Sequence, residues 1–168
     1  DVPIIPITCD AHTLLPGTVD VRGVDSPWPR ERVLASPRNW HQCDTVMYRW
    51  FMHRQVTAER YIYLEYDCRC TVALREVYAP VWEAQVASCN FHTPENNPDW
   101  YWFQTHERIW MEEADRLYAG GISPFAGSMF SHDALEKMIE AAPRSEIFCE
   151  LRLGTAIRKA NLQVQTLP

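Results

Sequence analysis

Long apolar runs, basic charge and glycine are all in short supply in this 168-residue chain, and each shortage removes a class of protein. No apolar stretch approaches the roughly 20 residues that a membrane-crossing helix needs, so no membrane span is expected. Sixteen Lys and Arg stand against 22 Asp and Glu, a formal charge of -6 with no offsetting basic run, which disfavours binding to nucleic acid phosphates. Six glycines exclude a collagen-like repeat, and neither an internal repeat nor a low-complexity block is visible. The chain has no G-x-G-x-x-G, no P-loop and no G-x-S-x-G, so dinucleotide dehydrogenase, P-loop nucleotidase and serine hydrolase readings fall away. Its histidines, at positions 12, 41, 53, 92, 106 and 132, form no H-x-x-x-H pair, which argues against a histidine metal centre.

What remains is enough for one compact domain with a real core: 46% hydrophobic residues, seven Trp and seven Tyr, with 12 Pro as punctuation. A chain that opens on Asp1 is expected to be processed or cut from something longer. Cys9, Cys43, Cys68, Cys70, Cys89 and Cys149 are spread widely. The one close pair, in "DCRCTV", lacks the gap of a zinc knuckle. Free, buried thiols and a cytoplasmic location are expected.

Strands and helices alternate along the chain. "VPIIPIT" (2–8) reads as a buried strand and "TVDVRGVD" (18–25) as a short second one, with proline-punctuated loop after it. Cys43, Val46, Met47, Trp50 and Phe51 share one helical face in the segment 40–54, leaving Asp44, Arg49 and Arg54 on the others. "YIYL" (61–64) is the next strand, "TVALREVYAPVWEA" a short helix or turn stopped by Pro80, and "EAQVASCNF" a further strand. The stretch 92–117 begins as an aromatic, proline-rich loop and becomes helical before Gly120-Gly121. A short strand at 127–130 precedes a helix capped by Ser131 and stopped before Pro143. A last helix, with Phe148, Leu151, Ile157 and Ala160 on one side, leads to a strand at 162–165. The pattern predicts an α/β fold: a single domain over 1–168, with a mostly parallel sheet flanked by helices.

The sharpest chemical feature is Glu65-Tyr66-Asp67, at the carboxyl end of the strand that ends in Leu64. Residues two apart in extended chain project to one side, so both carboxylates can converge on a hard cation such as Mg²⁺ or Mn²⁺. Open α/β sheets bind ligands at this edge. An isolated E-x-D is also simply a pair of surface acids. Glu150 lies near a helix start, where a carboxylate complements the helix dipole with or without catalysis. Trp100 and Trp102, in "DWYWF", are candidates for stacking on a sugar, although core packing accounts for at least one of them. Trp40, Trp50 and Trp82 read as packing residues.

The segment "AERYIYLEYDCRC" resembles the D-x-D region of GT-A nucleotide-diphospho-sugar glycosyltransferases. The preceding "NWHQCDTVMYRWF", and the later "FAGSMFSHDALEKM" and "FCELRLGTAIRKANLQV", are similar to the elements that flank it in those enzymes. The resemblance covers about residues 39–165, leaving 1–38 as an irregular part of the donor-binding half. It implies GT-A-like topology and a metal-dependent glycosyltransferase of the hexosyltransferase type. Glu65 and Asp67 would hold Mn²⁺ or Mg²⁺ against the leaving diphosphate, and Glu150 would take the proton of a hydroxyl acceptor. Arg38 and Asp44 would touch the nucleotide-diphosphate sugar, and Trp100, Trp102 and His132 would line the acceptor side. The chain departs from the family in bearing Glu at the first acid position and a lone carboxylate at Glu150, between Cys149 and Leu151. A non-catalytic GT-A-like domain that binds sugar or nucleotide is the competing expectation. A nucleotidyltransferase is a third, without the Gly-rich basic loop that would cradle a triphosphate.

Overall fold

The computed structural model describes residues 7–8, 19–20, 43–54, 57–65, 68–107 and 110–168. These form two compact units, Asp1–Thr57 and Ala58–Pro168. Both mix strands with helices, so the chain is α/β in the coarse sense expected.

In the first unit, β1 (Ile7–Thr8) and β2 (Val19–Asp20) pair in parallel, with Ile7 opposite Val19. The helix predicted over 40–54 is described as α1, Cys43–His53. Asp44 in its first turn and His53 in its last complement the helix dipole. Met47, Trp50 and Phe51 are buried as their spacing predicts, but burial does not stop at that stripe. Asp44 is 0% and Arg49 1% exposed, where the sequence pattern put them on polar faces. Periodicity identifies the apolar stripe of a helix but not what covers its other sides. The Arg54 guanidinium lies 3.7 Å over the Phe51 ring and donates to the Phe51 carbonyl, which ends the helix with a cation on its last turn.

The second unit is built on a four-stranded sheet in the order β3–β7–β4–β8. Here β3 is Arg60–Ile62, β4 Val86–Ser88, β7 Met129–Ser131 and β8 Val164–Thr166. Only β4 and β8 run parallel; β7 enters between β3 and β4 and is antiparallel to both. The sheet is thus mixed, not mostly parallel. Alternating helices and strands in the sequence suggest crossovers, but they do not say which gap a late strand will fill. All three residues of β4 and of β7 are buried, which suits central strands covered on both faces, whereas β3 and β8 are half-exposed edges. A second, two-stranded ladder joins β5 (Phe91–His92) to β6 (Gly121–Ile122).

Helix α2 (Leu74–Tyr78) passes into a 3₁₀ turn at Ala79–Val81 that contains Pro80, and α3 (Glu113–Arg116) is a single turn. Helix α4, His132–Ala141, begins where Ser131 Oγ accepts the Ala134 N–H at 3.1 Å, the cap expected from the sequence. Helix α5, Cys149–Lys159, is buried continuously from Leu151 to Ile157. Burial of that kind stabilises by roughly 1.5–3 kcal/mol for each large aliphatic side chain. Arg152, 1% exposed, is tolerated there because its guanidinium donates to the carbonyls of Ile147 (2.9 Å) and Ser145 (3.3 Å).

The docking of α5 on β6 depends on glycine. A Cβ on Gly154 would lie 2.1 Å from the Gly121 nitrogen and 2.3 Å from the Gly120 carbonyl carbon. Bare backbones therefore meet at this point. Arg158 Nη1, donating to the Ala119 carbonyl at 2.6 Å, holds the far end of the same contact. This approach sets the start of α5 against the segment that follows β6.

Candidate functional site

The segment after β6, Ser123 to Ser128, is held from several directions. Asn90 Nδ2 donates to the Ser123 carbonyl at 2.9 Å, and the Ser123 N–H donates to the Asn90 carbonyl at 3.2 Å. The Phe125 ring stacks on Tyr63 with centroids 4.0 Å apart. The Tyr78 hydroxyl donates to the Gly127 carbonyl at 2.6 Å, and burial pushes that phenol up to about 12. Gly127 has φ +86°, a conformation that favours glycine. Tyr63 extends β3 by one residue, bonding Gly127 N–H and the Ser128 carbonyl at 2.8 and 2.9 Å.

The carboxyl group of Glu150, in the first turn of α5, meets this fixed segment. The Phe125 backbone N–H and the Trp102 and Ser123 side chains lie beside it and favour its ionised form. Burial raises its pKa above the ordinary 4.5; these three neighbours oppose that rise, and the Glu65 carboxylate adds to it. Glu65 and Glu150, 85 positions apart in the chain, are thus brought within electrostatic reach of each other beyond the carboxyl end of β3. Glu65 itself is exposed, and its carbonyl accepts the Cys68 N–H at 3.0 Å.

The remaining candidates are placed as follows. Trp102 lies beside Glu150, and its ring stacks on Phe148 at 3.9 Å, with Phe148 the residue that opens α5. Trp100 is packing: His92 stacks on it at 4.7 Å, Phe103 meets it edge-on at 4.9 Å, and a Cβ on Gly121 would lie 2.1 Å from its ring. The region around both tryptophans is wound from Tyr101 into a π turn over Phe103–Glu107, where a loop was expected. His132 lies at the opposite end of β3, where its backbone N–H donates to the Glu59 carbonyl at the amino end of that strand. Its Nδ1 is 3.1 Å from the Tyr61 hydroxyl and its Nε2 3.3 Å from Glu136. An open cleft of about 310 Å³ lined by Glu59, Arg60, Glu83 and His132 is found there. Asp44 is in the other unit, buried in α1. Arg38 and Asp67 lie outside the described residues, as does Trp40.

Two further expectations are corrected. Trp82 is 40% exposed and serves through its backbone, its carbonyl accepting from Arg60 Nε at 2.7 Å. Cys68, Cys70 and Cys89 are exposed, and only Cys149 among the described thiols is fully buried. Cys89 directly follows β4, where the chain leaves the sheet for solvent.

Ser123 and the Phe125 N–H have no counterpart in the sequence reading. A serine after a Gly-Gly strand was the only available signal for the first, and a backbone donor leaves none. Among the described residues, no group of three or more His, Cys, Asp and Glu is arranged to hold a metal ion, and no helix is long and apolar enough to cross a membrane. No family model, curated protein or solved structure matches the chain.

Proposed function

We propose that this protein transfers a sugar from a nucleotide-diphosphate donor to a hydroxyl acceptor, with Glu150 as the general base. The observation that carries this reading is the carboxyl group of Glu150, buried enough to raise its pKa, with Phe125, Trp102 and Ser123 beside it and the Glu65 carboxylate within electrostatic reach. Burial brings a carboxylate closer to the basicity a proton acceptor needs. In the transfer, the acceptor O–H breaks with its proton passing to Glu150. The acceptor oxygen bonds the anomeric carbon, and the bond from that carbon to the diphosphate breaks with its electrons leaving on the phosphate.

Glu65 with Asp67 fits a divalent cation of the Mg²⁺ or Mn²⁺ kind, which binds through one or two carboxylates and takes further oxygens from a diphosphate. Such a cation would neutralise the leaving nucleoside diphosphate. The GT-A-like topology rests on the sequence resemblance; the placement of Glu65 and Glu150 at one sheet edge supports it.

Calorimetry with Mn²⁺ and a set of nucleotide sugars tests the donor side. Wild type is expected to bind at least one of them, and Asp67→Asn to bind it more weakly. Glu150→Gln is expected to keep donor binding and lose transfer by roughly 10²–10⁴-fold. Donor binding without transfer in the wild type would favour the non-catalytic, nucleotide- or sugar-binding alternative. No binding by the wild type, or equal binding by Asp67→Asn, would discard the metal–diphosphate reading.

A further inference from the structure

We infer that His132 and Glu136, one turn apart at the start of α4, form a binding site for a divalent transition-metal ion of the Zn²⁺ kind. The inference does not rest on the transfer reading. This site lies at the amino end of β3, where the His132 N–H meets the Glu59 carbonyl, whereas Glu65 lies beyond the carboxyl end of that strand.

The two residues stand four apart in a helix, so their side chains share one face. His132 Nε2 lies 3.3 Å from Glu136 Oε1. On the other side of the ring, Nδ1 lies 3.3 Å from the Ala58 carbonyl and 3.1 Å from the Tyr61 hydroxyl. That hydroxyl is itself fixed by the Ala58 N–H at 3.0 Å, so two groups hold the ring from this side. A carbonyl can only accept, so its contact draws the ring proton to Nδ1 and leaves the Nε2 lone pair towards the carboxylate. Two electron-pair donors then face each other across a gap that only a cation satisfies: a second proton on the ring, or a metal ion. The separation favours the metal. A charge-assisted hydrogen bond closes to about 2.7–2.9 Å. Two ligands of one tetrahedral zinc, each roughly 2.0–2.2 Å from it, stand about 3.3–3.5 Å apart. Metal-ligating histidines also characteristically bind a backbone carbonyl through their other nitrogen.

The surroundings select the ion. His132 lines the open cleft of about 310 Å³ together with Glu59, Arg60, Glu83 and Asp133. The Arg60 guanidinium donates to the carbonyls of Trp82 (2.7 Å) and Glu59 (3.0 Å) and lies 3.6 Å from the Glu83 carboxylate. With Arg60 set against Glu83, Glu59 and Asp133 leave the cleft negative, which draws in a cation and repels an anion. An imidazole beside a carboxylate suits Zn²⁺ or Cu²⁺, whereas Mg²⁺ and Ca²⁺ take oxygen ligands. Among the described residues no third His, Cys, Asp or Glu is arranged to join the pair, so water fills the remaining positions. The site is therefore open, unlike a closed structural zinc centre.

The test is titration of the full chain with Zn²⁺ alone, after iodoacetamide has blocked the exposed thiols that would compete for it. Binding is read from the ring ¹H and ¹⁵N resonances of His132, assigned with His132→Gln, in wild type, Glu136→Gln and Asp67→Asn. In wild type and Asp67→Asn, Zn²⁺ is expected to shift the His132 Nε2 resonance, and Mg²⁺ at the same concentration to leave it unmoved. In Glu136→Gln the Zn²⁺ affinity is expected to fall at least roughly tenfold. Glu136 is 57% exposed, so that variant loses the ligand and keeps the core. A wild-type His132 ring that Zn²⁺ does not shift would overturn the site, as would equal affinity in Glu136→Gln. Loss of the shift in Asp67→Asn alone would assign the ion to other ligands and overturn it too. If the His132 shift depends on Glu136 while no nucleotide sugar binds, the transferase reading fails and this metal site stands.

Discussion

The Trp102 ring is stacked on Phe148, two residues before Glu150, with centroids 3.9 Å apart, and the same side chain lies beside the Glu150 carboxyl group. One tryptophan thereby favours the ionised carboxylate and covers the start of the helix that bears it. The Ser123 hydroxyl and Phe125 N–H complete the arrangement from the segment after β6.

Each of these neighbours has a sign that titration can read. Ser123→Ala or Trp102→Phe removes a donor to the ionised form, so the Glu150 pKa is expected to rise further. Glu65→Gln removes a neighbouring negative charge, so it is expected to fall. Carbon-13 NMR titration of the glutamate carboxyl groups, assigned with Glu150→Gln, checks all three directions. A resonance that stays unmoved in every variant would contradict the geometry.

His92 predicts how stability changes with pH. Burial lowers its pKa below the ordinary 6.5, and its Nδ1 lies 3.1 Å from Asn97 Nδ2, an arrangement that suits the neutral ring. A depressed folded-state value means that the contribution is present above 6.5 and is lost as pH falls through the lower, folded value. Urea midpoints for wild type should drop between pH 7.5 and pH 5.5 by more than those of His92→Gln. Parallel slopes for the two proteins would show that the imidazole plays no part.

Gly154 and Gly127 should respond to alanine by different mechanisms and by different amounts. At Gly154 the methyl group would meet backbone at 2.1 Å, and α5 would have to leave β6, a cost of about 3 kcal/mol or more. At Gly127 the space is open, the nearest atom being the Tyr78 hydroxyl at 3.8 Å. Only the positive φ is penalised there, by about 1–2 kcal/mol. Denaturant unfolding of the two variants measures the order. Gly127→Ala proving the more damaging would place the critical approach elsewhere.

The thiols should react in the order of their exposure. Cys68, Cys70 and Cys89 are expected to be alkylated by iodoacetamide in the native protein, and Cys149, 1% exposed, only after unfolding. Peptide mass mapping after a short pulse distinguishes them. Native modification of Cys149 at the rate of Cys89 would show that α5 opens readily.

Several elements were legible because their signals are local. The Ser131 cap, the stop before Pro143 and the three-and-four spacing of Met47, Trp50 and Phe51 each depend on residues within one or two turns of helix. Glu65 at a strand end and Glu150 at a helix start were legible for the same reason. The sheet order was not, because the insertion of β7 between β3 and β4 is decided by pairing between segments more than 40 residues apart.

The scarcity that excluded whole classes of protein was a property of the sequence alone: no membrane-length apolar run, no basic excess, no phosphate-binding loop. The sequence by itself also determined which side chains carry charge and which turns of helix they begin or end. Which aromatic ring packs against the core, which lies beside an acid and which faces solvent was decided only by the tertiary structure. Trp100, Tyr101 and Trp102 are adjacent and chemically alike, so no local pattern separates them. Gly121, Phe148 and Glu150 approach that turn from distant parts of the chain, and the packing they impose gives each ring its place.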